Sequence, residues 1–462
     1  MTALNPTAVL NIVGLTPSLI GKHTPRLKAF QERNATVRLQ EPFPAVTCTS
    51  QSTMLTGLEP SGHGVVGNGW YFKDTAEVRF WHQSNALVQG EKIYETLKNR
   101  YPEFTCAKMF WWYNMYSKAD WSATPRPHYP ADGRKVFDIY TEPMELRDAL
   151  VNALGEFPFH SFWGPASGIK SSEWIAASAK WMQEFKQPTL NLVYLPHLDY
   201  SLQQYGPGAP EIPAELEKID AVAGDLIETL EAQGVRVLVV SEYGISKVTR
   251  QTHPNRILRR AGLTEIRKSL TWELLDCGAS EAFAVSDHQI CHIYVKNKTR
   301  IGEVAALFEK DDGTRAVLTG SDRARAGLDH DRAGDVVLMA EPDNWYTYYY
   351  WEDVALAPDF ARCVDIHRKP GYDPAELFLD PKIPLVKAKL GWTLLKKKAG
   401  FRYYMNVIPL DATLVKGSHG TPAEQPGEAP LLIGKAEWVG SAASRPMGAV
   451  RDVILKTVTG QD

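Results

Sequence analysis

Leu190-Asn-Leu-Val-Tyr-Leu195, Pro213-Ala-Glu-Leu-Glu-Lys-Ile-Asp-Ala-Val-Ala-Gly-Asp-Leu-Ile-Glu-Thr-Leu230 and Val235-Arg-Val-Leu-Val-Val240 follow one another along the chain. The outer two are short apolar runs, the pattern of strands buried on both faces. The middle one repeats its apolar residues at three-to-four spacing, the pattern of a helix with one face packed. Strand, helix, strand in this form is a βαβ unit, so the spacing predicts a doubly wound, mostly parallel α/β sheet with helices on both faces. Ala8-Val-Leu-Asn-Ile-Val-Gly14 adds a third buried strand that ends in a glycine turn. Ligands of such sheets bind beyond the carboxyl ends of the strands. The residues at those ends are Gly14-Leu-Thr16, Pro196-His-Leu-Asp199 and Ser241-Glu-Tyr-Gly244, and two of these segments carry carboxylates.

The 462 residues suit about three domains or one large α/β domain with insertions. A formal charge of −3 without charge blocks argues against nucleic-acid binding. No apolar run approaches the ~20 residues of a membrane span, and the first residues lack the pattern of a cleaved leader. Five scattered cysteines (48, 106, 277, 291 and 363) read as reduced thiols of a cytoplasmic protein. Aromatic residues cluster in Trp70-Tyr-Phe72, Phe80-Trp-His82, Phe110-Trp-Trp-Tyr113-Asn-Met-Tyr116 and Trp345-Tyr-Thr-Tyr-Tyr-Tyr-Trp351. They are expected to belong to insertions that roof a site. Residues 1–264 and 401–462 read as the α/β core, and 265–400 as an insertion or cap with β-like runs at Ala282-Phe-Ala-Val and His292-Ile-Tyr-Val. Lys396-Lys-Lys398 reads as a solvated face.

Several segments carry residues suited to chemistry. In Phe43-Pro-Ala-Val-Thr47-Cys-Thr49-Ser-Gln-Ser-Thr-Met-Leu-Thr56-Gly57 a loop enters a helix, whose first turn exposes unpaired N–H groups and the positive end of its dipole. A hydroxyl there, on Thr47 or Thr49, is either an N-cap or a nucleophile facing an anion. His197 and Asp199 share a face if the preceding strand continues through them, and are then half a metal site or a hydrogen-bonded turn. Glu242 and Tyr243 follow a strand directly. His419 lies between glycines in Lys416-Gly-Ser-His-Gly420. Asp287-His288, Asp329-His330-Asp331 and Asp365-Ile-His367 also look ligand-like.

In chain order these segments resemble the alkaline phosphatase superfamily, in its type I phosphodiesterase/nucleotide pyrophosphatase branch. The resemblance spans roughly residues 8–75, 188–250 and 410–435 and is densest over Pro44–Trp70, with Thr56-Gly57, Ser61-Gly-His-Gly64 and Asn68 in register. It implies an alkaline-phosphatase-like core with aromatic-rich insertions. It also implies that Thr47 is the nucleophile and that Asn68 holds a phosphoryl oxygen, with Tyr113 of the aromatic string as a substrate contact. Two zinc ions would be held at six positions. Those positions fall on Asp199, Gln203 and His419, and on Val13, Glu242 and Tyr243. Three of the six depart from the family's ligands: valine cannot ligate, glutamine offers a weak carbonyl, and tyrosine is protonated at neutral pH.

Three outcomes stay open on this reading. One divalent ion (Zn, Mn, Mg or Fe) sits on Asp199, Glu242 and His419 with Gln203 or His197; or Asp287-His288 or Asp365 and His367 rebuild a second site; or no metal binds. The expected activity is metal-dependent hydrolysis or phosphoryl transfer on a small phosphodiester or diphosphate-type ester. The alternative is a catalytically altered relative that binds an aromatic or prenylated ligand. Oligomeric state is not legible.

Overall fold

The computed structural model describes residues 4–461. Two larger sheets organise the chain. Strands Thr7–Ile12 (β1), Ala35–Gln40 (β2), Cys106–Met109 (β3), Trp121–Pro125 (β4), Ile139–Glu142 (β5), Leu190–Leu195 (β6) and Arg236–Val240 (β7) belong to the first. Strands Ala282–Asp287 (β8), Ile290–Val295 (β9), Thr314–Thr319 (β10) and Val336–Ala340 (β11) form the second, and Leu431–Gly434 (β12) and Ser444–Pro446 (β13) return to the first. The nine-stranded sheet runs β13-β2-β12-β7-β1-β6-β3-β4-β5. Its centre, β7-β1-β6-β3-β4, is parallel throughout, and antiparallel pairs occur only toward the margins.

Alternation along β1 explains why both faces are covered. Ala8, Leu10 and Ile12 point to one side, among residues of helices Ile169–Phe185 and Ile212–Ala232 such as Ile175, Leu216 and Ile219. Val9 points to the other, where Met54 and Leu55 of helix Thr47–Thr56 meet Val450, Val453 and Ile454 of helix Ala449–Thr459. Each such fully buried aliphatic side chain contributes about 1.5–3 kcal/mol. The helices are labelled α1 (Thr47–Thr56), α2 (Ile169–Phe185), α3 (His197–Tyr205), α4 (Ile212–Ala232), α5 (Val386–Lys398) and α6 (Ala449–Thr459). Register then sets the site: Asn11 pairs with Tyr194 and with Val240, so β1, β6 and β7 end level and their following residues emerge along one edge.

Two expectations change in the structure. The strand does not continue through His197; α3 begins there. Two residues along a helix turn the side chain by roughly 200°, so His197 and Asp199 part company. Nε2 of His197 lies 2.9 Å from Glu215 of α4, away from the site. The string Trp345–Trp351 does not roof a site either. Trp345, Tyr348, Tyr349, Tyr350 and Trp351 pack with Val248, Ala357 and Val415 into a core of their own. The part of the second sheet that does reach the strand ends is the β8–β9 turn, which carries Asp287 and His288.

The His197–Glu215 contact pins α3, which carries Asp199, onto α4. Pairing with His197, then with Lys218, holds the Glu215 carboxyl down at about 2. A folded-state value below the unfolded one means stability that is present above about 4.5 and is lost as pH falls toward about 2. Glu215→Gln should therefore lower unfolding free energy by roughly 1 kcal/mol at neutral pH, with solvent screening discounted. In urea denaturation the gap between the two proteins should close as the pH falls through that window. A gap that does not change with pH would show that the Glu215 charge contributes nothing.

Candidate active site

Thr47 is the first residue of α1, with Val46 as N-cap and no side chain of its own cap box engaged. Its Oγ1 lies 2.9 Å from the Tyr243 hydroxyl, which donates onward to Asp199 Oδ1 at 3.1 Å. With the single phenolic proton directed at Asp199, the Thr47 hydroxyl is the donor to Tyr243. Asp199 Oδ2 accepts from Gln203 Nε2 at 2.9 Å, one helical turn along α3, and Gln203 Oε1 accepts from Tyr372 at 2.9 Å. His419 stacks on Tyr243 with ring centroids 3.6 Å apart and planes within 7°. Its Nδ1 meets the Ala45 carbonyl at 2.8 Å, so that nitrogen carries the proton and Nε2 faces Asp199 at 3.6 Å.

Glu242, one residue before Tyr243, also reaches Thr47. Its Oε1 accepts from Asn11 at 2.5 Å and from Gln51 at 2.6 Å, and Oε2 is buried without a hydrogen-bond partner. Gln51 is itself fixed by the Trp112 backbone N–H at 2.8 Å. Opposite, Asn68 accepts from Cys48 N–H and donates to Asp287 Oδ1 at 3.1 Å, while its backbone N–H meets Oδ2 at 2.7 Å. His288 joins Asp287 at 2.8 Å and lies between Tyr372 and His419, with ring centroids 3.6 and 3.8 Å away.

Every group here is buried, which dominates the electrostatics. Burial pushes Asp199 up to about 7, against the Tyr243 and Gln203 hydrogen bonds. It pushes Glu242 up to about 8 against Gln51 and Asn11, and Asp287 up to about 6 against Asn68. Burial also drives His419 and His288 well below the usual histidine range. Neutral donors offset the desolvation of three carboxyls only in part.

The family's two-ion site does not fit these residues. Val13 is buried in the apolar core. Tyr243 spends its proton on Asp199, and the Gln203 carbonyl is taken by Tyr372. Asp199 and His419 remain as two donors, and one Glu242 oxygen is occupied by two amides. Among the described residues no three His, Cys, Asp or Glu side chains form a group able to hold an ion. The expected ion on Asp199, Glu242 and His419 is thus not supported by the donor set. Nor do the insertions rebuild a site: Asp287-His288 arrives beside Asn68 as an internally paired unit, and Asp365 and His367 contact Glu376 and the Phe80 carbonyl instead.

Of the residues expected here, Thr47, Asn68, Asp199, Gln203 and His419 come together in one network, with Glu242 on its flank. Tyr113 backs the Thr47 helix through its contact with the Cys48 thiol. Thr49 donates to the Val65 carbonyl, and His63 braces Thr53 and Val65, so both are structural. Asn11, Gln51 and Tyr372 were missed. Gln51 carried a usable signal, since four residues after Thr47 is one turn along the same helix face.

The residues 7–373 match the family model of type I phosphodiesterase/nucleotide pyrophosphatase. An uncharacterized pyrophosphatase/phosphodiesterase of Schizosaccharomyces pombe is 26% identical over 51% of this chain and 42% of its own length. Ectonucleotide pyrophosphatase/phosphodiesterase family member 1 of Rattus norvegicus is 21% identical over 46% of this chain and 20% of its own. The chain thus spans less than half the length of these curated relatives. Among solved structures, phosphonoacetate hydrolase from Sinorhizobium meliloti with phosphonoformate superposes with a TM-score of 0.62 at 13% identity, covering 99% of this chain and 100% of that one. Murine ectonucleotide pyrophosphatase/phosphodiesterase 5 does so at 0.59 and 12%, covering 99% and 95%. These likenesses establish an alkaline-phosphatase-like fold, and the family match over most of the chain places the protein in the type I phosphodiesterase/nucleotide pyrophosphatase family.

Proposed function

We propose that this chain is a hydrolase or phosphoryl-transfer enzyme of a small phosphodiester or diphosphate-type ester, in which Thr47 attacks phosphorus and a hydrogen-bond relay, not a metal ion, takes its proton. The observation that carries this reading is the continuous chain Thr47–Tyr243–Asp199, at 2.9 and 3.1 Å. Family membership supports the ester class. Murine ectonucleotide pyrophosphatase/phosphodiesterase 5, which shares the fold, was solved in complex with AMP, which supports a phosphorus-containing substrate.

In the first step the Thr47 Oγ1–P bond forms as the P–O bond to the leaving group breaks. The threonine proton moves to the Tyr243 oxygen while the phenolic proton moves to Asp199 Oδ1. The leaving alkoxide takes a proton from solvent. In the second step water attacks phosphorus as the P–Oγ1 bond breaks, the water proton passes to solvent, and Asp199 returns its proton through Tyr243 to Thr47 Oγ1. Charge on the non-bridging oxygens faces the positive end of α1 and the remaining amide hydrogen of Asn68. Gln203 and Tyr372 keep Asp199 aimed at Tyr243; His419 holds the phenol ring flat against it.

Turnover of bis(p-nitrophenyl) phosphate by protein treated with a strong chelator tests this directly. The rate should survive chelation, fall by about a thousandfold in Thr47→Ala, and fall by about a hundredfold in Tyr243→Phe with the fold intact. A rate lost on chelation and restored by Zn²⁺ would overturn the relay. Absence of turnover under all conditions would favour a ligand-binding relative.

A quenched reaction offers a second check. Mass spectrometry should find a phosphoryl adduct on the Thr47 peptide of the native protein and none in Thr47→Ala or Asp199→Asn, which lack the nucleophile and the proton acceptor of the first step. An adduct on another residue would remove Thr47 from the chemistry.

A further inference from the structure

Helix α5 and the segment after it have no part in the site, yet their composition is unlike the rest of the surface. Between Asp380 and Asp411 the chain has seven basic residues (Lys382, Lys387, Lys389, Lys396, Lys397, Lys398 and Arg402) and no acidic one. The same stretch exposes large apolar side chains: Leu385 at 82%, Trp392 at 61%, Leu395 at 60% and Phe401 at 68% of their area. Ala388, Trp392 and Leu395 follow at helical spacing along α5, with Leu385 just ahead of it, and form one stripe, while Leu394, 41% exposed, lies across the helix from them. The flank beside the stripe is the anchored one: Thr393 is buried, and Lys389 Nζ donates to the Asn406 carbonyl at 3.1 Å. The exposed Lys387, Lys396 and Lys398 pair with no carboxylate among the described residues, and Lys396 lies over the Trp392 ring at 5.6 Å.

We propose that α5 is a docking surface for an anionic lipid bilayer. The chemistry matches on both counts. Trp and Leu side chains gain by entering the boundary between headgroups and acyl chains, and flanking lysines are attracted to anionic headgroups. The helix lies in the plane of the surface, because its 13 residues extend only about 20 Å. No helix among the described residues is long and apolar enough to cross a membrane. A second copy of the chain is a poorer occupant, since two such faces would bring like charges together. A lipid surface supplies both the counter-charge and an apolar layer.

The attachment also has a direction. Tyr372 bonds Gln203, and the Leu377 carbonyl accepts from Gln204, so the strand-end wall of the site leads within a few residues into α5. Docking would set the site at a defined height above the lipid surface.

The test is co-sedimentation of the full chain with vesicles of phosphatidylcholine alone and of phosphatidylcholine mixed with phosphatidylglycerol, at low and high salt. Binding should appear on the mixed vesicles and weaken at high salt. It should drop by about tenfold or more in Trp392→Ala/Leu395→Ala, and likewise in Lys396→Gln/Lys398→Gln, with the circular dichroism and thermal transition unchanged. Equal binding to both vesicle types, or binding untouched by either double variant, would overturn the proposal. So would a vesicle-independent dimer in size-exclusion chromatography that Trp392→Ala/Leu395→Ala abolishes, because the stripe would then face a second copy. None of these readouts depends on catalysis at Thr47.

Discussion

Three carboxyls are buried at the ends of a parallel sheet, and the rest of the site follows from how they are satisfied. Removing a carboxylate from water costs several kcal/mol unless something restores the lost interaction. A cation does this most strongly. Here Asp199 is met by a phenol and a glutamine amide, Glu242 by an asparagine and a glutamine amide, and Asp287 by the backbone and side chain of Asn68. The donors are neutral, so the carboxyls stay proton-hungry, as their raised values show. A network that readily accepts a proton next to a threonine hydroxyl is what a relay requires.

The scaffold makes this arrangement specific. Level register at the ends of β1, β6 and β7 presents Asn11, Asp199 and Glu242 along one edge, although they are far apart in sequence. The start of α1 brings Thr47 onto Tyr243 and Gln51 onto Glu242 from one helix face. The β8–β9 turn closes the other side with Asp287 and His288, and Gly67 lets it approach: a Cβ there would stand 3.1 Å from Asp287 Oδ2. His288 adopts a left-handed backbone at that turn, with φ of 60°. Such a conformation in a non-glycine residue persists only where surrounding contacts enforce it, here the stack between Tyr372 and His419.

Much of the architecture was legible because it depends on periodicity. Continuous apolar runs reported the buried central strands, and the three-to-four spacing over Pro213–Leu230 reported α4. The site was legible in part, through the strand-end rule and the Thr47 loop. His197 misled because a strand and a helix place residues i and i+2 on opposite terms, and only Pro196, the N-cap of α3, marks where one becomes the other. Asn11 sits inside a strand that reads as uniformly buried, and an apolar pattern does not mark its amide as a donor. Tyr372 and the β8–β9 turn lie more than a hundred residues from the α/β core segments they meet, and packing of the second sheet, not local pattern, brings them there. The string Trp345–Trp351 shows the converse: a conspicuous motif can be a small packing core of its own.

The central claim is that a phenol and amides, rather than divalent ions, satisfy the buried acids around Thr47. Its most direct measurement is the ion content of the protein after equilibration with excess Zn²⁺ and exhaustive desalting, by elemental analysis, beside a Val13→Asp/Gln203→His/Tyr243→His variant. The account predicts less than about a tenth of an ion per chain for the native protein and clear retention by the variant, whose six positions again carry Asp, Glu or His. Retention of one or two ions by the native protein would contradict it.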